Sequence, residues 1–146
     1  MDHIAIMKKS WGLTQKILSG EKKIESRWYK SKYSPWGRIK QGETVYFKDS
    51  GMPVTIKAEV DKVMQFSGLT PDKVKELLDE YGADIGVHNI SEDLDFLKDK
   101  KYCILVFLKN PQKIEPFNIS KKGFGLMSAW ISVEDVSKIR INPPLK

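Results

Sequence analysis

One stretch decides the fold: Ile17-Leu18-Ser19-Gly20-Glu21-Lys22-Lys23-Ile24-Glu25-Ser26-Arg27-Trp28. Gly20 predicts the end of a helix, because glycine adopts the left-handed conformation of a helix C-terminus without a Cβ clash. From Lys23 onward the residues alternate as in a β-strand. One face would carry Lys23, Glu25 and Arg27, and the other Ile24, Ser26 and Trp28. The stretch therefore predicts a short helix that turns directly into a strand.

The charged residues of this stretch are spaced for mutual contact. Glu25 would lie between Lys23 and Arg27 on one strand face, with Lys22 on the preceding turn. A carboxylate in that position stays ionised and orients Arg27, whose guanidinium then suits phosphate or carboxylate. The alternative is a solvated charged face on an edge strand, which is what charge runs usually form.

The motif Gly-x-Lys-x-x-Glu-x-Arg carries a resemblance to a known family. It stands here as Gly20, Lys22, Glu25 and Arg27, and it resembles the signature of the ASCH domain family. The resemblance implies a PUA-like β-barrel, related to PUA and EVE domains, and an association with RNA.

Composition sets the broad class of protein. The 146 residues, with a formal net charge of +6, predict a single domain over 1–146 that favours polyanionic partners. One cysteine and two histidines give neither an internal disulfide nor a metal-ligand cluster. The sequence shows no cofactor fingerprint, no signal peptide and no apolar run that could span a bilayer. We therefore expect a cytoplasmic monomer without metal or cofactor.

Hydrophobic patterns outline the elements. They predict an α+β domain, with a PUA-like antiparallel β-barrel of about six or seven strands and two or three flanking helices. The expected helices start near Trp11, at Thr70 and at Ser91, with Ser10 capping the first and Gly82 ending the second. The later two would cover one barrel opening. Asn110-Pro111 predicts a break after the apolar strand 102–108.

A basic surface is the second expected feature. The loop 29–42 interleaves aromatic residues with cations, which can stack bases and hold phosphates, or its aromatic residues can pin the loop to the barrel. The candidate nucleic-acid surface comprises Lys9, Lys23, Trp36, Arg38, Lys121 and Lys122.

The resemblance also implies a ligand cleft between the N-terminal helix, the strand after it and a late strand. Its candidate residues are Lys22, Glu25, Arg27, Trp28, Lys48, Ser50, Ser128 and Trp130. Lys22 and Arg27 would bind phosphate or a carbonyl, and Glu25 would orient Arg27 or bind a base amino group. Trp130 would stack a base, or belong to the core.

Three functions follow as expectations. The first is RNA or nucleotide binding without catalysis. The second is an amidohydrolase acting on N4-acylated cytidine-type nucleosides, because some small family members deacetylate N4-acetylcytidine with a lysine, a threonine and a distant glutamate. Lys22 matches that lysine, Glu25 replaces the threonine, and Glu80 lies in the region of the glutamate. Glu25 would hold Lys22 charged, which disfavours catalysis. The third is a protein-interaction module in a transcription or translation complex.

Overall fold

The computed structural model describes residues 1–87, 89–125 and 127–141. In these ranges the chain forms seven strands and three α-helices, in the order β1 (Asp2–Met7), α1 (Leu13–Ser19), β2 (Ile24–Tyr29), β3 (Thr44–Asp49), β4 (Val54–Phe66), α2 (Pro71–Ile85), α3 (Ile90–Leu97), β5 (Tyr102–Ile119), β6 (Trp130–Val133) and β7 (Arg140–Ile141). Short 3-10 turns lie at Lys9–Trp11 and Val136–Lys138.

The strands form one curled sheet in the order β2-β5-β4-β3-β1-β6, with β7 paired to the end of β5. This half-barrel with flanking helices confirms the expected α+β, PUA-like class. The sheet is mixed rather than wholly antiparallel, because β1 and β3 run parallel. The chain reaches β3 only after α1 and β2, which carry it back to the starting end of β1.

The predicted break at Asn110-Pro111 is wrong. β5 continues through it to Ile119, with Asn110 at a φ of 52° and with register shifts against β4. Such bulges bend a strand and accommodate a proline without ending it. The long bent strand contributes to three apolar clusters, with Ile104 inside the curve, Leu105 beneath α2 and Phe117 at the far end.

The helix boundaries differ from the expected ones in three places. α3 starts at Ile90 rather than Ser91, because the side chain of Asn89 caps it by accepting a hydrogen bond from the Glu92 amide. Ser10 lies in the 3-10 turn and does not cap α1, which starts after Gly12. α2 continues past Gly82 to Ile85, because Gly86 adopts the left-handed cap conformation instead, at a φ of 97°. Both the Thr70 cap of α2 and the end of α1 at Gly20 are confirmed.

Helices α2 and α3 cover one face of the β2–β5 pair. Leu77 and Leu78 pack with Ile24, Cys103 and Leu105 in a closed apolar cluster. Burial raises the pKa of the Cys103 thiol, in keeping with a small core side chain rather than a nucleophile.

Candidate functional site

Strand β2 lies at an edge of the sheet and places its charged residues inside the curve. Glu25 pairs with Val106 and Arg27 with Ile104, and both partners belong to the interior cluster. The expected alternation along β2 is therefore confirmed for Glu25 and Arg27. The face is not solvated, however, because the Glu25 residue is only 3% exposed.

Lys22 is the most deeply buried cation of the motif, at 2% exposure. Its ammonium donates hydrogen bonds of 2.6 Å to the carbonyls of Ile24 and Ile85, and lies 3.7 Å from Oε1 of Glu25. Ile85 is the last residue of α2, where a helix favours a cation. Lys22 thus joins the edge of β2 to the end of α2.

Burial has a larger effect on the pKa of Lys22 than its acidic neighbour has. Desolvation lowers this pKa from its ordinary value, and the charge of Glu25 only partly opposes the change. This corrects the expectation that Glu25 would dominate. The physical reason is that 3.7 Å is longer than a hydrogen bond, so that Glu25 compensates the ammonium incompletely.

Glu25 lies between two cations, but they are not the two that strand alternation indicated. Lys22 and Arg27 each approach its carboxylate to 3.7 Å, whereas Lys23 is exposed and follows the turn. Oε1 of Glu25 accepts a hydrogen bond of 2.9 Å from the Ser26 amide. Oε2 is buried and has no hydrogen-bond partner among the described residues.

Arg27 spans the open side of the half-barrel, between the two edge strands β2 and β6. Its guanidinium donates long hydrogen bonds to the carbonyls of Ala129 (3.3 Å) and Ile6 (3.4 Å). It also lies 5.1 Å from the centre of the Trp130 ring, within cation–π range. Its Nε is buried without a hydrogen-bond partner in the described part of the chain. Arg27 is therefore both a closing contact and an incompletely bonded cation.

These three side chains line the floor of a cleft of about 550 Å³, a volume typical of small-molecule sites. One wall comes from the segment before and within α1, including Lys8 and Trp11, and another from the segment after α2 and from α3, including Asn89 and Phe96. Trp28 also lines the cleft, and it donates a 3.0 Å hydrogen bond from Nε1 to Oγ of Ser26.

The free edge of β2 opens into the same cleft. The carbonyls of Lys23 and Tyr29 accept hydrogen bonds from Leu108 and Lys101, in and just before the partner strand β5. Successive residues of a strand direct their main-chain groups to opposite sides, so those of Ile24, Ser26 and Trp28 point away from β5. The Ile24 carbonyl and the Ser26 amide are bonded by the Lys22 and Glu25 side chains. Two side chains of the motif therefore satisfy main-chain groups on the unpaired edge of β2.

A second buried polar cluster lies behind Trp130, and sequence reasoning missed it. His3 is fully buried and bonds Glu43 through Nε2 (2.9 Å). Its Nδ1 lies 2.8 Å from Oγ of Ser132 and accepts a 3.2 Å hydrogen bond from Nε1 of Trp130. Burial lowers the pKa of His3, although Glu43 opposes the change. No local pattern indicated this cluster, because its members come from residues 3, 43, 130 and 132, which only the folded sheet brings together.

Several predicted site residues lie elsewhere. Of the described residues, Lys48, Ser50, Ser128 and Glu80 do not line the cleft. Lys48 is half-buried close to Lys121, and both burial and that charge lower its pKa. Trp130 is a core residue that lies beneath Arg27.

The predicted nucleic-acid surface is dispersed. Lys9, Lys23, Arg38 and Lys122 are exposed, and Lys121 is half-buried. Trp36 packs edge-on against Tyr102, with ring centres 5.2 Å apart, and so pins its loop to the barrel. Lys32 lies 5.7 Å above the Trp36 ring, so that this loop still combines an aromatic face with a cation.

Within the described residues, no group of three or more His, Cys, Asp or Glu side chains could hold a metal ion. The helices found in those ranges are also too short or too polar to cross a membrane.

Comparison with known proteins gives the same fold. No family model and no curated protein matches the sequence. The ASCH protein of Zymomonas mobilis superposes with a TM-score of 0.67 at 16% identity, covering 90% of this chain and 87% of that one. A mutant form of it superposes with a TM-score of 0.69 at 15% identity, covering 94% and 93%. The chain has an ASCH-domain fold. The hypothetical protein PH0355 matches this ASCH fold less fully, with a TM-score of 0.52 at 21% identity over 78% of this chain and all of that one.

Proposed function

We propose that this ASCH-fold domain binds nucleic acid and that its cleft takes a single nucleotide. The observation that carries the proposal is the buried cluster of Lys22, Glu25 and Arg27 on the cleft floor. Buried polar atoms are nearly always hydrogen-bonded, yet Oε2 of Glu25 and Nε of Arg27 find no such partner within the ranges that the structure describes. A ligand with its own donors and acceptors would supply the missing partners after small side-chain rotations.

The chemistry of the cluster fits the edge of a nucleobase. Glu25 accepts hydrogen bonds, while Lys22 and Arg27 donate them, so the floor alternates donor, acceptor and donor. A base edge that places an N–H between or beside carbonyl or ring-nitrogen acceptors is complementary to this order. The positive net charge of the chain favours the phosphates that accompany such a base.

The test is a binding titration with single-stranded RNA and with transfer RNA at several salt concentrations, in which tryptophan fluorescence reports binding. We expect saturable binding that weakens log-linearly with salt. Glu25→Gln should weaken it at least about tenfold, which corresponds to about 1.4 kcal/mol for one charged hydrogen bond. Glu80→Gln is the matched control, because Glu80 is exposed on α2 outside the cleft. No binding of either RNA would overturn the proposal.

Hydrolysis of an acylated cytidine is a second candidate, which one specific observation favours. Burial lowers the pKa of Lys22 beside a carboxylate, and this is an arrangement in which a proton can move between substrate and protein. Glu25 would take a proton from the attacking water, and the Lys22 ammonium would protonate the leaving amine. Incubation with N4-acetylcytidine, analysed for cytidine and acetate, tests it, and an unchanged substrate would exclude it.

A further inference from the structure

Two aromatic side chains stand exposed at the cleft. Trp11 is 56% exposed and Phe96 is 72% exposed, and both line the cleft from different elements. Trp11 ends the 3-10 turn, where Gly12 reverses the chain at a φ of 63°. On α3, Leu94 and Leu97 pack inward against the α2 cluster, so helical spacing turns Phe96 outward. Ligand clefts are lined largely by apolar and aromatic side chains, so both rings are available to a bound ligand.

Each exposed ring has a lysine beside it. The ammonium of Lys8 lies 5.3 Å from the centre of the Trp11 indole, and that of Lys100 lies 5.8 Å from the centre of the Phe96 ring. Both lysines also line the cleft. The same pair of an aromatic face and a cation therefore occurs twice, on two segments far apart in the sequence. We call these four residues the cleft rim.

The charges around the cleft favour an anionic ligand. Its described lining carries the cations Lys8, Lys16, Lys22, Arg27 and Lys100, against the anions Glu25, Glu92 and Asp93. The rim cations lie at the mouth, while Lys22 and Arg27 lie at the floor. A ligand with charge outside the cleft and a polar ring inside it matches this distribution.

We propose that the rim stacks the bases that flank the nucleotide held at the floor, so that the ligand is single-stranded nucleic acid. This inference rests on the proposed function and narrows its ligand class. Exposed aromatic faces with neighbouring cations are the means by which proteins hold unpaired bases and their phosphates. A duplex keeps its bases stacked on one another and leaves the rim without a partner, and a free nucleotide reaches only the floor.

The experiment compares two RNA probes on the same variants: a mixture of ribonucleoside monophosphates and a five-nucleotide single strand of mixed sequence. The single strand should bind the unaltered protein more tightly than the monophosphates do. Trp11→Ala and Phe96→Ala should each weaken binding of the strand about tenfold, because stacking contributes about 1–3 kcal/mol per base. Binding of the monophosphates should stay unchanged.

Met127→Ala is the control, since Met127 is another exposed apolar residue (95%) but lies outside the described lining of the cleft. It should alter neither affinity. A longer duplex that contains the same sequence and stays paired at the assay temperature should bind no more tightly than the monophosphates, and denaturant unfolding of each variant should match that of the unaltered protein.

The outcomes separate this inference from the proposed function. If Glu25→Gln weakens binding of the monophosphates while the rim variants bind the five-nucleotide strand normally, the rim proposal is overturned and the floor proposal stands. If neither probe binds the unaltered protein, both fall. A duplex that binds as tightly as the single strand would also overturn the rim proposal.

Discussion

Two polar clusters contact Trp130, one around His3 and one around Glu25, and they differ in how completely they are bonded. Around His3, the contacts to Glu43, Ser132 and Trp130 measure between 2.8 and 3.2 Å. Around Glu25, both ion pairs measure 3.7 Å, and one carboxylate oxygen has no hydrogen-bond partner among the described residues. The first cluster is closed by its own residues, whereas the second lines a cleft.

This difference separates a structural role from a binding role. A saturated network stabilises the fold, because removing any member leaves a buried group unpaired. An unsaturated cluster beside a cleft contributes less to the folded state and keeps free bonding capacity for a ligand. Arg27 links the two clusters. It pairs with Glu25 in one of them, and it stacks on Trp130, whose indole N–H donates to His3 in the other.

The largest expected effect is on stability, from His3→Leu. This change leaves the buried Trp130 N–H without its acceptor and removes one hydrogen bond from Glu43, which keeps the Lys40 amide and the N-terminus as partners. We expect the free energy of unfolding to fall by roughly 2–4 kcal/mol, the cost of one unpaired buried group and one lost hydrogen bond to a charged group. Denaturant unfolding measures it. A loss below about 1 kcal/mol would mean that the network is not structural, and the comparison would fail.

Arg27→Ala should give an intermediate loss, because it removes the contacts that join the two edges of the half-barrel. On the sequence alone, this variant would be expected to weaken ligand binding and leave melting largely intact. Given the bonds to Ala129 and Ile6 and the stacking on Trp130, we expect a stability loss of about 1–2 kcal/mol as well. Arg27→Lys, measured by thermal unfolding, should restore only part of it, since lysine lacks the planar fork. If Arg27→Lys restored the full stability, the positive charge alone, and not the planar guanidinium, would account for the contribution of Arg27.

A smaller effect should appear in the pH dependence of stability. Burial lowers the pKa of His3 below the ordinary 6.5, so the unfolded chain binds this proton more readily than the folded one. The stability contributed by neutral His3 is therefore complete above about pH 6.5 and is lost as the pH falls below it. The slope is at most about 1.4 kcal/mol per pH unit.

Unfolding measured between pH 7 and pH 5 checks this dependence. His3→Gln is the control, because glutamine supplies a donor and an acceptor but does not titrate in this range. A slope that persists in His3→Gln would assign it to other groups.

The smallest expected effect concerns Lys121 and Lys122, which belong to neither cluster. Charge reversal to glutamate should lower RNA affinity a few-fold and reduce its salt dependence, since each phosphate contact contributes about one counterion. Binding of a single nucleotide should not change. Filter binding of RNA at two salt concentrations would test this. An unaltered RNA affinity would mean that Lys121 and Lys122 are not part of the nucleic-acid surface.

Local chemistry predicted much of the fold. The helix end at Gly20, the strand that follows it and the Thr70 cap depend on neighbours in the sequence, and all three are confirmed. The continuation of β5 through Pro111 depends on bulged pairing with β4, which no local pattern contains. The parallel pairing of β1 with β3 likewise depends on where α1 and β2 run.

The candidate site was predictable in its residues but not in its burial. The spacing of Lys22, Glu25 and Arg27 indicated a charged cluster. Their enclosure depends on α2, whose Ile85 carbonyl bonds a lysine 63 residues earlier in the chain. The rim residues Trp11 and Phe96 gave no signal, because exposure of an aromatic side chain is decided by packing rather than by its neighbours in the sequence.

The most direct test of the account is ligand-induced stabilisation of Glu25→Gln, measured by thermal unfolding with and without saturating ribonucleoside monophosphates. A ligand that binds only the folded state raises the stability by mass action. We predict that Glu25→Gln without ligand loses less stability than His3→Leu, because Gln keeps the acceptor for the Ser26 amide and Lys22 keeps its two carbonyl partners. We also predict that the rise in stability with ligand is at least about 1.4 kcal/mol smaller, as a tenfold weaker affinity requires. A variant that loses as much stability as His3→Leu, and gains as much stability with the nucleotides as the unaltered protein does, would contradict the account.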